Sequence, residues 1–175
     1  MLLLNNKEIM KILTMDKAIE CVKKAYSLYS ADKVESPQRI ALKNELSNGT
    51  ALFMPATVKE TGDTSVKIVS VYPENKKYKK ETVLSTILLL DNKTGEVCSV
   101  LDGGSITQMR TGAASGVAIE LLSKKDSKIG ALLGTGGHAI GQLQAMLTAN
   151  LDEIYIYSRN YENAINFINK FRPIL

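Results

Sequence analysis

The sequence predicts an α/β chain in two parts: an α+β segment built on an antiparallel sheet, then the opening strands of a parallel sheet. Three observations predict this. An amphipathic helical stretch gives way to four short β-branched runs separated by turn residues over 38–102. After residue 128 the rhythm becomes strand, turn, helix, strand, helix, the alternation of a parallel sheet. A glycine-rich turn, within "KIGALLGTGGHAIGQLQAM" at 128–146, sits at the first of those strand-to-helix joints.

Each element has a local reason. In "TMDKAIECVKKAYSLYSADK", Met15, Ala18, Ile19, Val22, Tyr26 and Tyr29 recur at helical spacing, with Thr14 as cap and Asp16 at the positive end of the dipole. "ALFMPATV", "TSVKIVSVYP", "TVLSTILLLD" and "EVCSVLD" read as antiparallel strands. "DNKTGE" joins the last two as a hairpin turn, with Gly95 free to take a positive φ. "SITQMRTGAASGVAIELLS" at 105–123 reads as a helix capped by Ser105, and its small residues permit close approach of another backbone. The charged link "KKDSK" marks a boundary, giving domains 1–125 and 126–175. Beyond it the expected order is a strand at 129–133, a helix at about 137–149, a strand at 153–157 and a helix at about 160–171.

Composition excludes several classes. The chain has 175 residues, 45% apolar and 23% charged, with a formal net charge of +4. No apolar run is long enough to span a membrane, and "MLLLNNKEIM" turns polar too soon for a signal peptide. Cys21 and Cys98 show no pairing or metal-ligand spacing and read as buried, reduced thiols of a cytoplasmic protein. The basic cluster "ENKKYKK" lacks the interleaved aromatics of a nucleic-acid binder and reads as a solvated loop. His138 is the single histidine, so no multi-histidine metal site is expected.

The glycine turn carries the chemistry. Gly134, Gly136, Gly137, His138 and Ala139 form a G-x-G-x-x-A pattern after the apolar strand "IGALL". Gly134 turns the chain off the strand, Gly136 leaves room for a pyrophosphate, and Ala139 lets the helix pack on the sheet. The helix N-terminus then offers free N–H groups and positive potential to phosphates. The stretch reads as the opening of a Rossmann-type dinucleotide site for NAD or NADP, with a glycine-rich turn used only for packing as the plain alternative. The second strand, "EIYIY", ends in Ser158-Arg159 rather than the carboxylate that marks NAD, which favours NADP(H). A surface cation is the plain alternative for Arg159. His138 reads as a cofactor neighbour or as a solvent-facing helix residue.

Three cations remain. Lys67 lies in an apolar strand, where pattern alone favours an outward side chain. Arg39 opens the sheet region after Pro37, and Arg110 sits among small residues in "SITQMRTGAAS". Singly each reads as a surface charge; together they can clamp a carboxylate.

With these residues in view, the chain resembles the ornithine cyclodeaminase/μ-crystallin family. The resemblance is carried by "SPQR", "VKIVSVYP", "ILLLDNKTGEVCSVLDGGSITQMRTGAASGVA" and "GALLGTGGHAIGQLQAM", in family order and spacing over nearly the whole chain. It implies a substrate and dimerisation domain followed by a Rossmann domain, and a homodimer that uses NAD or NADP on small amino acids or cyclic imines. It implies that Arg39 and Arg110 hold the substrate carboxylate, that Lys67 sits beside the reacting carbon as a proton-transfer partner, and that Thr111 contacts the cofactor. This overrides the outward reading of Lys67. The expected activity is cyclodeamination of L-ornithine to L-proline and ammonia. The alternatives are a ketimine reductase or alanine dehydrogenase, or a non-catalytic binding protein or inactive fragment. The family often carries glutamine at the position of His138. Its members are also longer, so the expectation is a truncated form holding only the first half of the nucleotide domain.

Overall fold

The computed structural model describes residues 1–174. The chain forms two compact units, one of residues 1–12 and 26–106, the other of residues 13–25 and 107 onward.

The first unit is a seven-stranded sheet. Its strands are β1 (Leu2–Leu4), β2 (Val34–Glu35), β3 (Ile40–Asn44), β4 (Gly49–Val58), β5 (Thr64–Val71), β6 (Val83–Leu90) and β7 (Val97–Asp102). They run in the order β1-β7-β6-β5-β4-β2, with β3 also on β4. From β2 to β7 all pairings are antiparallel, as the four β-branched runs predict. β1 differs: it pairs in parallel with β7, Leu3 opposite Val100. Three leucines are too short a run for periodicity to announce a strand, and the free edge of β7 recruits them. Helix α1 (Asn6–Ile12) follows at once. Asn5 and Glu8 cap it reciprocally: the Asn5 amide donates to Glu8 Oε2 at 2.8 Å, and the Glu8 amide to Asn5 Oδ1 at 3.2 Å. Ile9 on its inner side is 3% exposed.

The β6–β7 hairpin closes as its sequence predicts. Gly95 takes φ +75°, and its amide donates to the Asp91 carbonyl at 2.9 Å. Asp91 Oδ1 accepts from the amides of Thr94 (2.9 Å) and Lys93 (3.0 Å) and from the Thr94 hydroxyl (3.1 Å). These bonds, those from the Thr94 and Lys93 amides foremost, hold the Asp91 carboxyl below its usual value.

The second unit takes in most of α2 (Met15–Ser30) and α3 (Gly103–Leu122), with β8 (Ile129–Leu133), α4 (Ala139–Leu147), β9 (Glu153–Tyr157) and α5 (Tyr161–Phe171). Thr14 Oγ1 accepts from the Lys17 amide at 3.4 Å, the expected cap of α2. α3 begins two residues before the expected Ser105. Its cap is Asp102, whose Oδ1 accepts from both the amide (2.9 Å) and the hydroxyl (2.7 Å) of Ser105. Met15, Ala18, Ile19, Met109, Ala113, Val117 and Ala145 form one core.

The small residues of α3 do what their pattern implies. A methyl group on Gly112 would lie 2.1 Å from the Gly141 carbonyl oxygen, so α3 and α4 meet backbone against backbone. A second core of Leu132, Ala139, Leu143, Met146 and Phe167 packs α4 and α5 on one face of the parallel β8–β9 pair. The buried Leu143 alone contributes about 2–3 kcal/mol. The opposite face is bare: Ile129, Leu133, Tyr155 and Tyr157 are each 59% exposed or more. Among the described residues β8 and β9 pair only with each other.

α4 is shorter than expected, because Gly137 and His138 belong to the turn and Thr148 folds back on Ala145, its hydroxyl 2.7 Å from that carbonyl. The thiols also depart from expectation: Cys21 is exposed and Cys98 half-buried, its Sγ 3.4 Å from the Leu89 carbonyl. Cys21 lies on α2 between Ile19 and Val22, where helical spacing turns it off the apolar stripe. No helix among the described residues is long and apolar enough to cross a membrane.

Candidate functional site

The strand-turn-helix joint is built by β8, α4 and β9. β8 and β9 are registered Leu133 to Tyr157, and the pairing continues into the turn: the Gly134 amide donates to the Tyr157 carbonyl at 2.8 Å. Gly134 has φ +103°, a conformation that a side chain would strain. A methyl group added to Gly136 or Gly137 meets no atom within 4 Å. The space above the turn is therefore open, and these glycines are not required for internal packing. Ala139 works the other way, 6% exposed and seated in the core with Leu132 and Leu143. The first turn of α4 leaves amides without intrahelical acceptors, which suits an anion. Open glycines, a helix N-terminus and a buried alanine at the third position fit a dinucleotide pyrophosphate.

Neighbouring side chains brace this turn. Gln108 on α3 donates from Nε2 to the Gly137 carbonyl at 2.6 Å. Gln142 on α4 donates to the Thr111 carbonyl at 3.3 Å, and the Thr111 hydroxyl bonds its own helix at the Thr107 carbonyl, 2.6 Å away. A depression of about 550 Å³ opens beside the turn, lined by Thr135, Gly136, Gly137 and Gln108 and by Asn163, Asn166 and Lys170 of α5. Sequence reasoning missed Gln108 and the α5 residues. The spacing of Asn163, Asn166 and Lys170 is a polar stripe, but on a helix such a stripe is the ordinary solvent face. His138 is exposed at the N-terminus of α4 and makes no side-chain capping bond. Ser158 is half-buried, with its Oγ 3.5 Å from Thr135 Oγ1, and Arg159 is exposed.

Two of the three cations, Arg39 and Lys67, belong to the first unit. Lys67 lies opposite Met54 on β4 and Ile87 on β6, half-buried and on the same face as Val69, which is 9% exposed. Arg39 is exposed and precedes Ile40, which pairs with Phe53. Arg39 itself stands just before β3, outside its paired residues, whereas Lys67 lies within the β4–β5–β6 pairing. Arg110 is exposed on α3, next to Thr111, in the second unit. Among the described residues no cluster of His, Cys, Asp and Glu has the make-up of a metal site.

The family model for ornithine cyclodeaminase/mu-crystallin proteins matches residues 1–173. The chain belongs to that family. A Delta(1)-pyrroline-2-carboxylate reductase of Bacillus cereus is 33% identical over 168 residues, which are 95% of this chain and 52% of the relative. The structure of the Thermococcus litoralis Delta(1)-pyrroline-2-carboxylate reductase in complex with NADH and L-proline is 39% identical, with a TM-score of 0.88 over 99% of this chain and 54% of that one. An archaeal alanine dehydrogenase, solved as a dimer with bound NAD, is 29% identical with a TM-score of 0.87, over 99% of this chain and 53% of its own. The chain thus spans about half the length of the relatives it matches. Mixed α/β architecture and family agree with the sequence expectation. The reductase or alanine-dehydrogenase alternative fits these relatives better than ornithine cyclodeamination does.

Proposed function

We propose that this chain carries the substrate clamp and the pyrophosphate turn of an NAD(P)-dependent oxidoreductase acting on a small cyclic imine or 2-oxo acid that bears a carboxylate. The observation carrying the reading is the 39% identity, over 99% of the chain, with a reductase solved with NADH and L-proline. On this reading residues 1–125 bind substrate and form a homodimer, and residues from 126 onward begin the dinucleotide domain.

The residues divide the work as follows. Gly134, Gly136 and Gly137 keep side chains away from the pyrophosphate, and α4 meets its charge. Ala139 holds α4 against the sheet, and His138 stands at the rim of the turn. Thr111, whose backbone carbonyl accepts from Gln142 and whose hydroxyl donates to the Thr107 carbonyl, contacts the cofactor. Arg39 and Lys67, both in the first unit, hold the substrate carboxylate. A bound nicotinamide supplies the hydride for reduction of the C=N or C=O carbon. Lys67 delivers the proton that the nitrogen or oxygen then needs, so hydride and proton together saturate the double bond.

The test is L-proline binding to the purified chain in the presence of saturating NADPH or NADH, by calorimetry. Binding is expected, and Arg39→Ala and Lys67→Ala each weaken it roughly 10- to 100-fold through loss of a charge-assisted hydrogen bond. Unchanged affinity in both variants overturns the clamp. Release of ammonia from L-ornithine by the chain restores the cyclodeaminase reading.

A further inference from the structure

We propose that Gln108 on α3 is a positioning residue for the dinucleotide: by holding the Gly137 carbonyl, it turns the His138 amide toward the bound pyrophosphate. The proposal rests on the dinucleotide reading of the glycine turn and gives a residue outside that turn control of its geometry.

The turn needs such a hold. A methyl group on Gly136 or Gly137 meets no atom within 4 Å, so packing does not fix the backbone there. Glycine also loses more conformational freedom on ordering than any other residue. The ladder of α4 begins one residue later, with the Gln142 amide donating to the His138 carbonyl at 3.2 Å. The Gly137 carbonyl takes its bond from Gln108 Nε2 instead, at 2.6 Å. A carbonyl only accepts, so the side-chain atom facing it is the amide nitrogen.

Gln108 is itself anchored. It is half-buried and precedes Met109, which is 2% exposed in the core. A methyl group on Gly141 would lie 2.5 Å from the Gln108 carbonyl oxygen, so α3 and α4 touch at this residue. Gln142 ties the same two helices at the Thr111 carbonyl, 3.3 Å away. Gln108 and the glycine turn belong to one unit.

Peptide planarity carries the effect to the ligand. The Gly137–His138 peptide is trans, so its C=O and N–H point in opposite directions. With the carbonyl tied to α3, the His138 N–H points away from α3. That amide donates to no acceptor among the described residues and is one of the free donors at the start of α4. The same peptide turned over would present its carbonyl oxygen to the phosphates and repel them.

The test uses the fact that His138 is the single histidine: a chain labelled at histidine nitrogen alone shows one backbone amide resonance. Purified chain is titrated with ADP-ribose, which carries the pyrophosphate and needs no turnover, by calorimetry and by that resonance. In the parent the His138 amide proton is expected to move downfield as the ligand saturates. Gln108→Ala should weaken ADP-ribose roughly 10-fold and remove most of that movement, with a thermal melt close to the parent's. Gln108→Glu keeps the shape without the donor and should weaken binding further, because its carboxylate repels both the carbonyl and the pyrophosphate. Affinity and His138 movement unchanged in both variants overturn the proposal while leaving the dinucleotide reading intact, as does a lowered melt with affinity retained. Binding by the parent with a stationary His138 resonance overturns the assignment to that amide. Failure of ADP-ribose to bind the parent overturns the dinucleotide reading itself.

Discussion

Replacing Gly112 by alanine sets two effects against each other. Alanine in a helix interior is favoured over glycine by about 0.5–1 kcal/mol. Its methyl group, however, would lie 2.1 Å from the carbonyl oxygen and 2.4 Å from the carbonyl carbon of Gly141, more than an ångström inside ordinary contact. Those atoms are backbone and cannot rotate away, so α3 and α4 must move apart. The residues disturbed by that movement are Met109, Ala113 and Ala145, which are 2%, 0% and 0% exposed around the contact. Overpacking of a rigid core costs about 1–3 kcal/mol, and a backbone-to-backbone clash belongs at the upper end. The net expectation is a loss of about 1–2 kcal/mol, a fall in melting temperature of roughly 2–8 °C for a chain of this size. The chain has no tryptophan, so urea and thermal unfolding are followed by far-ultraviolet circular dichroism. Gly136→Ala is the matched control: its methyl group meets nothing within 4 Å and its φ is not positive. It should leave stability within about 0.5 kcal/mol while weakening dinucleotide binding. A Gly112→Ala variant as stable as the parent, or more so, would refute the close approach of α3 and α4.

Other expectations follow from single contacts. Asp102→Ala removes the acceptor for both Ser105 donors and should cost about 1 kcal/mol, most of it restored by Asp102→Asn or Asp102→Ser, as thermal melts of the three variants would show. The Asp91 carboxyl is lowered from 3.8, so its contribution to the β6–β7 hairpin is present above that value and disappears as pH falls through the lower folded one. Asp91→Asn should flatten the acid limb of the stability curve, and amide exchange at Thr94 reports it locally. On the proposed reading Lys67→Met should weaken L-proline binding roughly 10- to 100-fold while leaving ADP-ribose affinity within twofold or so, because Lys67 belongs to the first unit and the glycine turn to the second.

The β-branched runs are legible because each strand is bounded by its own turn chemistry, and β6 to β7 closes on Asp91 and Gly95 as the residues alone require. The stripe of small residues in α3 likewise announces a backbone contact, though not that its partner is Gly141. The start of α3 is harder to read. Asp102 and Ser105 are both good caps three residues apart, and only the folded chain shows Ser105 donating to Asp102. β1 escapes because its pairing with β7 spans nearly the whole first unit, and nothing local encodes it. The same holds for Lys67. Its strand pattern favours solvent, but facing is decided by the strands on either side, and the register sets it beside Met54 and Ile87 and on the face of Val69.

The uncovered side of the β8–β9 pair makes protein concentration a thermodynamic variable. Among the described residues β8 and β9 pair only with each other, and with Leu133 78% and Ile129 63% exposed beside them one molecule offers the next a strand to extend and a greasy surface to cover. Association of that kind adds to the stability of the folded form by mass action, so a melt of a dilute sample and a melt of a crowded one will not coincide.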